Sequence, residues 1–167
     1  MLYCALFACL IAILAQIQIA LPTLVPITLQ TLGVYLVSLL LKPKLAFIST
    51  LVYVFMGAIG LPVFGGFSGG LASLLGPSGG YIFSFPIMAL VIALIVKRNE
   101  KLSFKIIALI IGTAVCYLIG TLWFIYVTNT SLIPALTMCV IPFLPGDTLK
   151  IIISIILANR LNSKIAN

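Results

Sequence analysis

Histidine is absent from this 167-residue chain, and only Glu100 and Asp147 carry a carboxylate side chain. The first absence removes the commonest general base and metal ligand. The second leaves little from which to build an acid–base pair. Charge of either sign is scarce: 7% of the residues are charged, against roughly 25% in an ordinary soluble domain. With 63% of the chain apolar, so little charge could not cover a surface that faces water. The solvent must be mostly lipid. No polar stretch is long enough to separate two domains, so residues 1–167 read as one membrane domain. No basic segment precedes the first apolar run, and a cleaved signal peptide is not expected. The four cysteines, Cys4, Cys9, Cys116 and Cys139, lack CxxC spacing and lie in apolar stretches. They read as small buried thiols, with no metal site and no redox role.

What is present is a set of apolar runs punctuated by proline, glycine and short basic clusters. About 20 apolar residues cross a bilayer core. Residues 1–41 hold no charge and suffice for two spans, divided by Pro22 and Pro26, which cannot both sit inside one regular helix. These rules predict an all-α bundle of six spans, near 2–20, 27–41, 45–59, 81–96, 106–127 and 147–163. The net charge of +7 sits in clusters between runs and follows membrane orientation rather than nucleic-acid binding. Lys42 and Lys44, the cluster 97–105, and Arg160 with Lys164 all fall on one side of a six-span chain. The opposite connections, 21–26, 60–80 and 128–146, contain no Lys or Arg. Both termini are therefore expected in the cytoplasm.

Two ionisable residues fall outside the cytoplasmic clusters: Asp147 and Lys150, at the outer start of the last helix. Their i, i+3 spacing puts them on one helix face. Charges at membrane depth are costly and usually face a cavity. Helix capping or a mere ion pair is the plainer alternative; capping accounts for the aspartate but not for a lysine at a helix N-terminus. A second feature runs from Gly60 through Gly65, Gly66, Gly69 and Gly70 to Gly80. Its glycines alternate with apolar residues, unlike a flexible linker, so the loop must pack. It could line a ligand cavity, with Phe64, Phe67 and Tyr81 as flat walls, or form plain tight turns. No lysine follows its glycines in the manner of a nucleotide-binding phosphate loop. Thr28 and Gln30 could face the same cavity or only bond backbone; Gln16 and Gln18 carry a weaker version of that signal. On the first helix Ala8 and Ala12 are four apart, as are Ala5 and Cys9, a spacing that permits close helix packing within the bundle or against a partner.

Taken together, Pro26-Ile27-Thr28-Leu29-Gln30-Thr31-Leu32, Gly60-Leu61-Pro62-Val63-Phe64, Gly76-Pro77-Ser78-Gly79-Gly80-Tyr81 and Phe143-Leu144-Pro145-Gly146-Asp147 with Lys150 resemble the BioY family. The members of that family are the biotin-specific S components of energy-coupling factor (ECF) transporters. The likeness spans nearly the whole chain in the family's order. It implies a prokaryotic, multi-pass cell-membrane protein that captures biotin from outside. It also implies docking on a transmembrane coupling subunit driven by two ATPase subunits. Asp147 and Lys150 would contact the ligand, joined by Ser78, and Ala8 and Ala12 would meet the coupling subunit. Biotin would be the transported ligand, with no cofactor. Asp147 can accept from the ureido N–H groups and Lys150 can donate to a carbonyl or carboxylate oxygen, though the sequence does not choose which end of biotin meets Lys150.

The resulting expectation is a vitamin-binding transport subunit without catalysis of its own, since the chain carries no nucleotide-binding motif. A stand-alone carrier is the alternative. A membrane-embedded hydrolase or transferase using Asp147 as base is disfavoured by the shortage of acids and the lack of histidine.

Overall fold

The computed structural model describes residues 2–19 and 25–165. Helix dominates. α1 spans Leu2–Ala15, α2 Gln30–Leu40, α3 Pro43–Ala58, α4 Leu71–Leu75, α5 Gly79–Arg98, α6 Leu102–Thr128, α7 Leu132–Cys139 and α8 Leu144–Ile165. Six of these, all but α4 and α7, have ten residues or more among the described residues. Gly79–Arg98, Leu102–Thr128 and the run Leu132–Leu161 are long and apolar enough to cross a membrane. The remaining apolar helices, α1, α2 and α3, are shorter.

The first span departs from its expected range. α1 stops at Ala15, and Gln18–Ile19 (β1) pairs antiparallel with Ile27–Thr28 (β2), placing Gln18 opposite Thr28. Pro22, expected to break the chain, lies outside the described residues. The segment expected at 27–41 accordingly begins as strand and turns helical only at Gln30. α3 opens with Pro43 in its first turn, where a missing N–H costs nothing. α7 adds a short helix within the connection expected at 128–146.

The outside of the bundle is apolar. Ile107, Ile110, Leu118 and Leu122 on α6, and Leu149, Ile152 and Ile156 on α8, are all exposed. Such a surface matches lipid, not water. Inside, Tyr35, Tyr53, Phe64, Met88, Ile92 and Leu109 join one buried cluster. Helix hydroxyls bond back to their own helix, as from Ser49 to the Leu45 carbonyl and from Thr113 to that of Leu109, so few polar groups face hydrocarbon unpaired. α5 and α6 pack tightly because glycine stands where they cross. A Cβ on Gly80 would sit 2.2 Å from the Trp123 Cβ, and one on Gly120 2.2 Å from the Tyr81 ring.

α2 lies at the centre. Nine of its residues are buried, and it packs on α1, α3, α5 and α8. Its 11 residues span about 16 Å, roughly half of a 30 Å hydrocarbon core. A central helix that short leaves a hollow beyond each end.

Candidate functional site

The hollow at the N-terminal end of α2 is where the polar residues gather. It encloses about 700 Å³ of atom-free space, counting its mouth and the open solvent there. α8 delivers Asp147 in its first turn, where the free N–H groups favour an anion. Lys150, one turn on, donates to Asp147 Oδ1 at 2.8 Å, and both side chains are about 95% buried (6% and 5% exposed). Thr31 of α2 accepts from Lys150 Nζ at 2.9 Å and donates to Asp147 Oδ1 at 3.4 Å. From α6, Tyr117 donates to Asp147 Oδ2 at 2.5 Å. Three helices are thus pinned to one carboxylate, entirely through side chains. Asp147, Thr31 and Tyr117 all reach the cavity wall. Lys150 does not line it; the lysine stands behind Asp147 and holds it.

A second polar chain starts from Thr28 and Gln30 on the same cavity. Thr28 Oγ1 donates to Gln30 Oε1 at 2.9 Å, and Gln30 Nε2 donates to the Tyr53 hydroxyl. Tyr53 in turn donates to the Val63 carbonyl at 3.1 Å. This chain anchors the start of the glycine-rich segment to α2 and α3. Phe64 follows immediately, edge-on to Tyr53 with ring centroids 5.6 Å apart. Phe64 is buried because α3 offers no side chain at Gly57, where a Cβ would fall 1.9 Å from the ring.

The rest of the loop is packed rather than loose. Gln16 Nε2 donates to the carbonyls of Ala12 and Phe64, and its Oε1 accepts from the Phe67 N–H at 2.8 Å. A glutamine just past α1 therefore clamps the loop. At the far end, Trp123 donates to the Gly76 carbonyl at 3.0 Å. Ser78 stands at the N-cap of α5 without spending its hydroxyl on a capping bond, and it lines the cavity. Tyr81 lines it as well, its hydroxyl 3.0 Å from that of Thr121.

Of the residues singled out from sequence, the structure brings Thr28, Gln30, Phe64, Ser78, Tyr81 and Asp147 onto one cavity, with Lys150 directly behind. Phe67 points elsewhere and is exposed. Sequence reading missed Thr31, Tyr53, Phe85, Tyr117 and Phe143. For Thr31, Tyr53 and Tyr117 the only available signal was a hydroxyl inside an apolar run, and for Phe85 and Phe143 there was none. Cys116 is buried, as expected of a small thiol, yet it also lines the cavity, whereas Cys9 is exposed. The docking assignment needs correction. Ala8 is fully buried in the bundle core and Ala12 is half-buried against it, so the small pair that α1 leaves open outward is Ala5 and Cys9. Ala8 carries instead the close packing of α1 inside the bundle.

Comparison with known proteins gives a consistent answer. The model of the BioY family matches residues 1–167. The chain is 41% identical over 157 residues to the "Probable biotin transporter BioY" of Pyrococcus horikoshii, covering 94% of this chain and 92% of that protein. It is 34% identical over 159 residues to the "Biotin transporter BioY" of Thermotoga maritima, covering 93% and 91%. Among solved structures, the crystal structure of the S-component for biotin from an ECF-type ABC transporter superimposes with a TM-score of 0.89. That match has 32% identity and covers 97% of this chain and 89% of the other. An apolar, helical exterior and relatives of this kind make the chain a multi-pass membrane protein. By its family model, its relatives and its fold, this chain belongs to the BioY family.

Proposed function

We propose that this chain is the biotin-binding subunit of an ATP-driven importer and takes its ligand into the cavity at the N-terminal end of α2. The observation that carries the reading is a buried Asp147–Lys150 couple with the carboxylate on the wall of that hollow. Asp147 keeps acceptor capacity toward a ureido N–H, and Ser78, Thr28 and Gln30 ring the same space with hydroxyls and an amide. Phe64 and Tyr81 offer flat walls to the bicyclic ring and the aliphatic chain. Lys150 acts by holding Asp147 and Thr31 in place.

Six crossings with both termini in the cytoplasm fit the charge pattern, which puts every Lys and Arg except Lys150 on one side. The cavity then opens outward, on the side of the 60–80 loop. Uptake energy would come from a transmembrane coupling subunit and two ATPase subunits, with the outward face of α1 around Ala5 and Cys9 as the place of contact. The setting is a prokaryotic cell membrane, and the chain works as a binding subunit, not as an enzyme. Titration of the detergent-purified chain with biotin, thiamin and riboflavin tests the reading. Saturable binding of biotin alone is expected, and equal or absent binding of all three overturns it. Uptake by vesicles holding only this chain would replace the subunit by a stand-alone carrier.

A further inference from the structure

Beyond the C-terminal end of α2 lies the second hollow, a groove enclosing about 1250 Å³ of atom-free space with its mouth. Its wall is aliphatic, built from Leu39 and Leu40 on α2 and from Ala93 and Val96 near the end of α5. Lys42, Lys97 and Glu100 also line it, and all three are exposed. Ser38 contributes little polarity, because its hydroxyl already donates to the Val34 carbonyl. Neither Lys42 nor Lys97 forms an ion pair with Glu100. α3 begins beside the groove with Lys42 as N-cap and no side-chain cap, and its positive dipole end adds to the two cations.

We propose that this groove holds one anionic phospholipid, its phosphate against Lys42 and Lys97 and an acyl chain along the aliphatic wall. Both lysines stand where apolar runs end, the level at which lipid phosphates lie. An ammonium on a flexible stem serves a phosphate as a point charge. A water-soluble phosphate would leave the aliphatic wall unused. Basic pockets between membrane helices on the cytoplasmic side are a recognised setting for lipid headgroups. The inference is independent of what the outer cavity binds.

Native mass spectrometry of the full chain, released from detergent mixed with phosphatidylglycerol or phosphatidylcholine, tests the proposal. One retained phosphatidylglycerol in preference to phosphatidylcholine is expected, together with selective protection against thermal unfolding. Lys42→Gln with Lys97→Gln should weaken that retention by about thirtyfold, from the contribution of two lysines near an anionic headgroup. Circular dichroism and elution volume should stay unchanged. Lys44→Gln with Lys101→Gln, which removes the same charge outside the groove, should retain the lipid. Equal retention of the two lipids by the unmodified chain, or equal loss in the two double variants, overturns the proposal. So does displacement of the lipid by glycerol phosphate at equal concentration, which would make the groove a site for a soluble anion.

Discussion

Replacing Lys150 with alanine removes the cation from a carboxylate that is almost wholly enclosed. The Nζ–Oδ1 separation of 2.8 Å and side-chain exposures of 6% and 5% leave little solvent screening. Breaking one side of a buried pair costs about 3–5 kcal/mol, because the surviving charge loses its partner. Here Thr31 and Tyr117 still bond the carboxylate, so the lower figure of about 3 kcal/mol is expected for Lys150→Ala. Asp147→Asn strands the lysine and should cost a similar amount. The double change Asp147→Asn with Lys150→Met should cost less than the two singles combined, since it leaves no buried charge behind. Biotin affinity, measured by calorimetric titration well below the unfolding transition, should fall at least about tenfold in all three, a loss of about 1.4 kcal/mol. Thermal unfolding of the same samples reports the stability change separately. Lower stability in both singles with affinity unchanged would make the couple a brace between α2, α6 and α8, and would refute its role in capture.

Other substitutions separate the walls of the cavity. Tyr117→Phe removes one hydrogen bond to the Asp147 carboxylate, a kind of bond worth about 1.5–3 kcal/mol, and should lower biotin affinity about tenfold or more by titration. Gln16→Leu cuts the two bonds between the end of α1 and the glycine-rich loop; about tenfold faster biotin release is expected in a stopped-flow chase, with a smaller effect on association. Gly57→Ala places a methyl 1.9 Å from the Phe64 ring and must push Phe64 off the cavity wall, costing about 1–3 kcal/mol in thermal unfolding and weakening binding. Gly146→Ala, with no heavy atom within 4 Å of its added Cβ, should instead raise stability by up to about 1 kcal/mol through helix propensity.

Lone charges in apolar runs are loud signals, which is why Asp147 and Lys150 could be found without coordinates. Tyr117 and Thr31 could not. A hydroxyl in an apolar run is ordinary, and whether it points inward depends on helix rotation, which composition does not encode. The α1 packing face failed for a related reason. Ala8–Ala12 and Ala5–Cys9 share one spacing, so periodicity alone cannot say which pair the bundle consumes. The end of α1 was misplaced because residues 16–20 are as uncharged as the helix before them. Gln16 turns out of the helix for a tertiary reason, its bonds to Phe64 and Phe67. By contrast, the later helices overrun their apolar cores into flanking polar residues, as at Lys97 and Arg98, because long basic stems can continue a helix while their heads reach water.

A charged couple that must wait empty in a membrane poses a thermodynamic problem, and the arrangement at α8 resolves it with capacity to spare. Asp147 takes three donors, Lys150, Thr31 and Tyr117, against about four lone-pair positions on a carboxylate. Lys150 spends two of its three N–H groups, on Asp147 and Thr31. Each charge is thus largely satisfied before any ligand arrives, so the empty site need not collapse or fill with counter-ions. One acceptor position and one donor remain. A neutral cyclic urea presents N–H groups, which the remaining acceptor position of Asp147 on the cavity wall can take without leaving net charge in the bilayer. A ligand that brought an additional unpaired charge to the same spot would have to desolvate it against a couple already neutral. The geometry therefore favours the ureido end at Asp147 over the carboxylate end. Biotin methyl ester, titrated against biotin, tests this: near-equal affinity is expected if the ureido ring occupies the charged end, and loss of a hundredfold or more would place the carboxylate there instead.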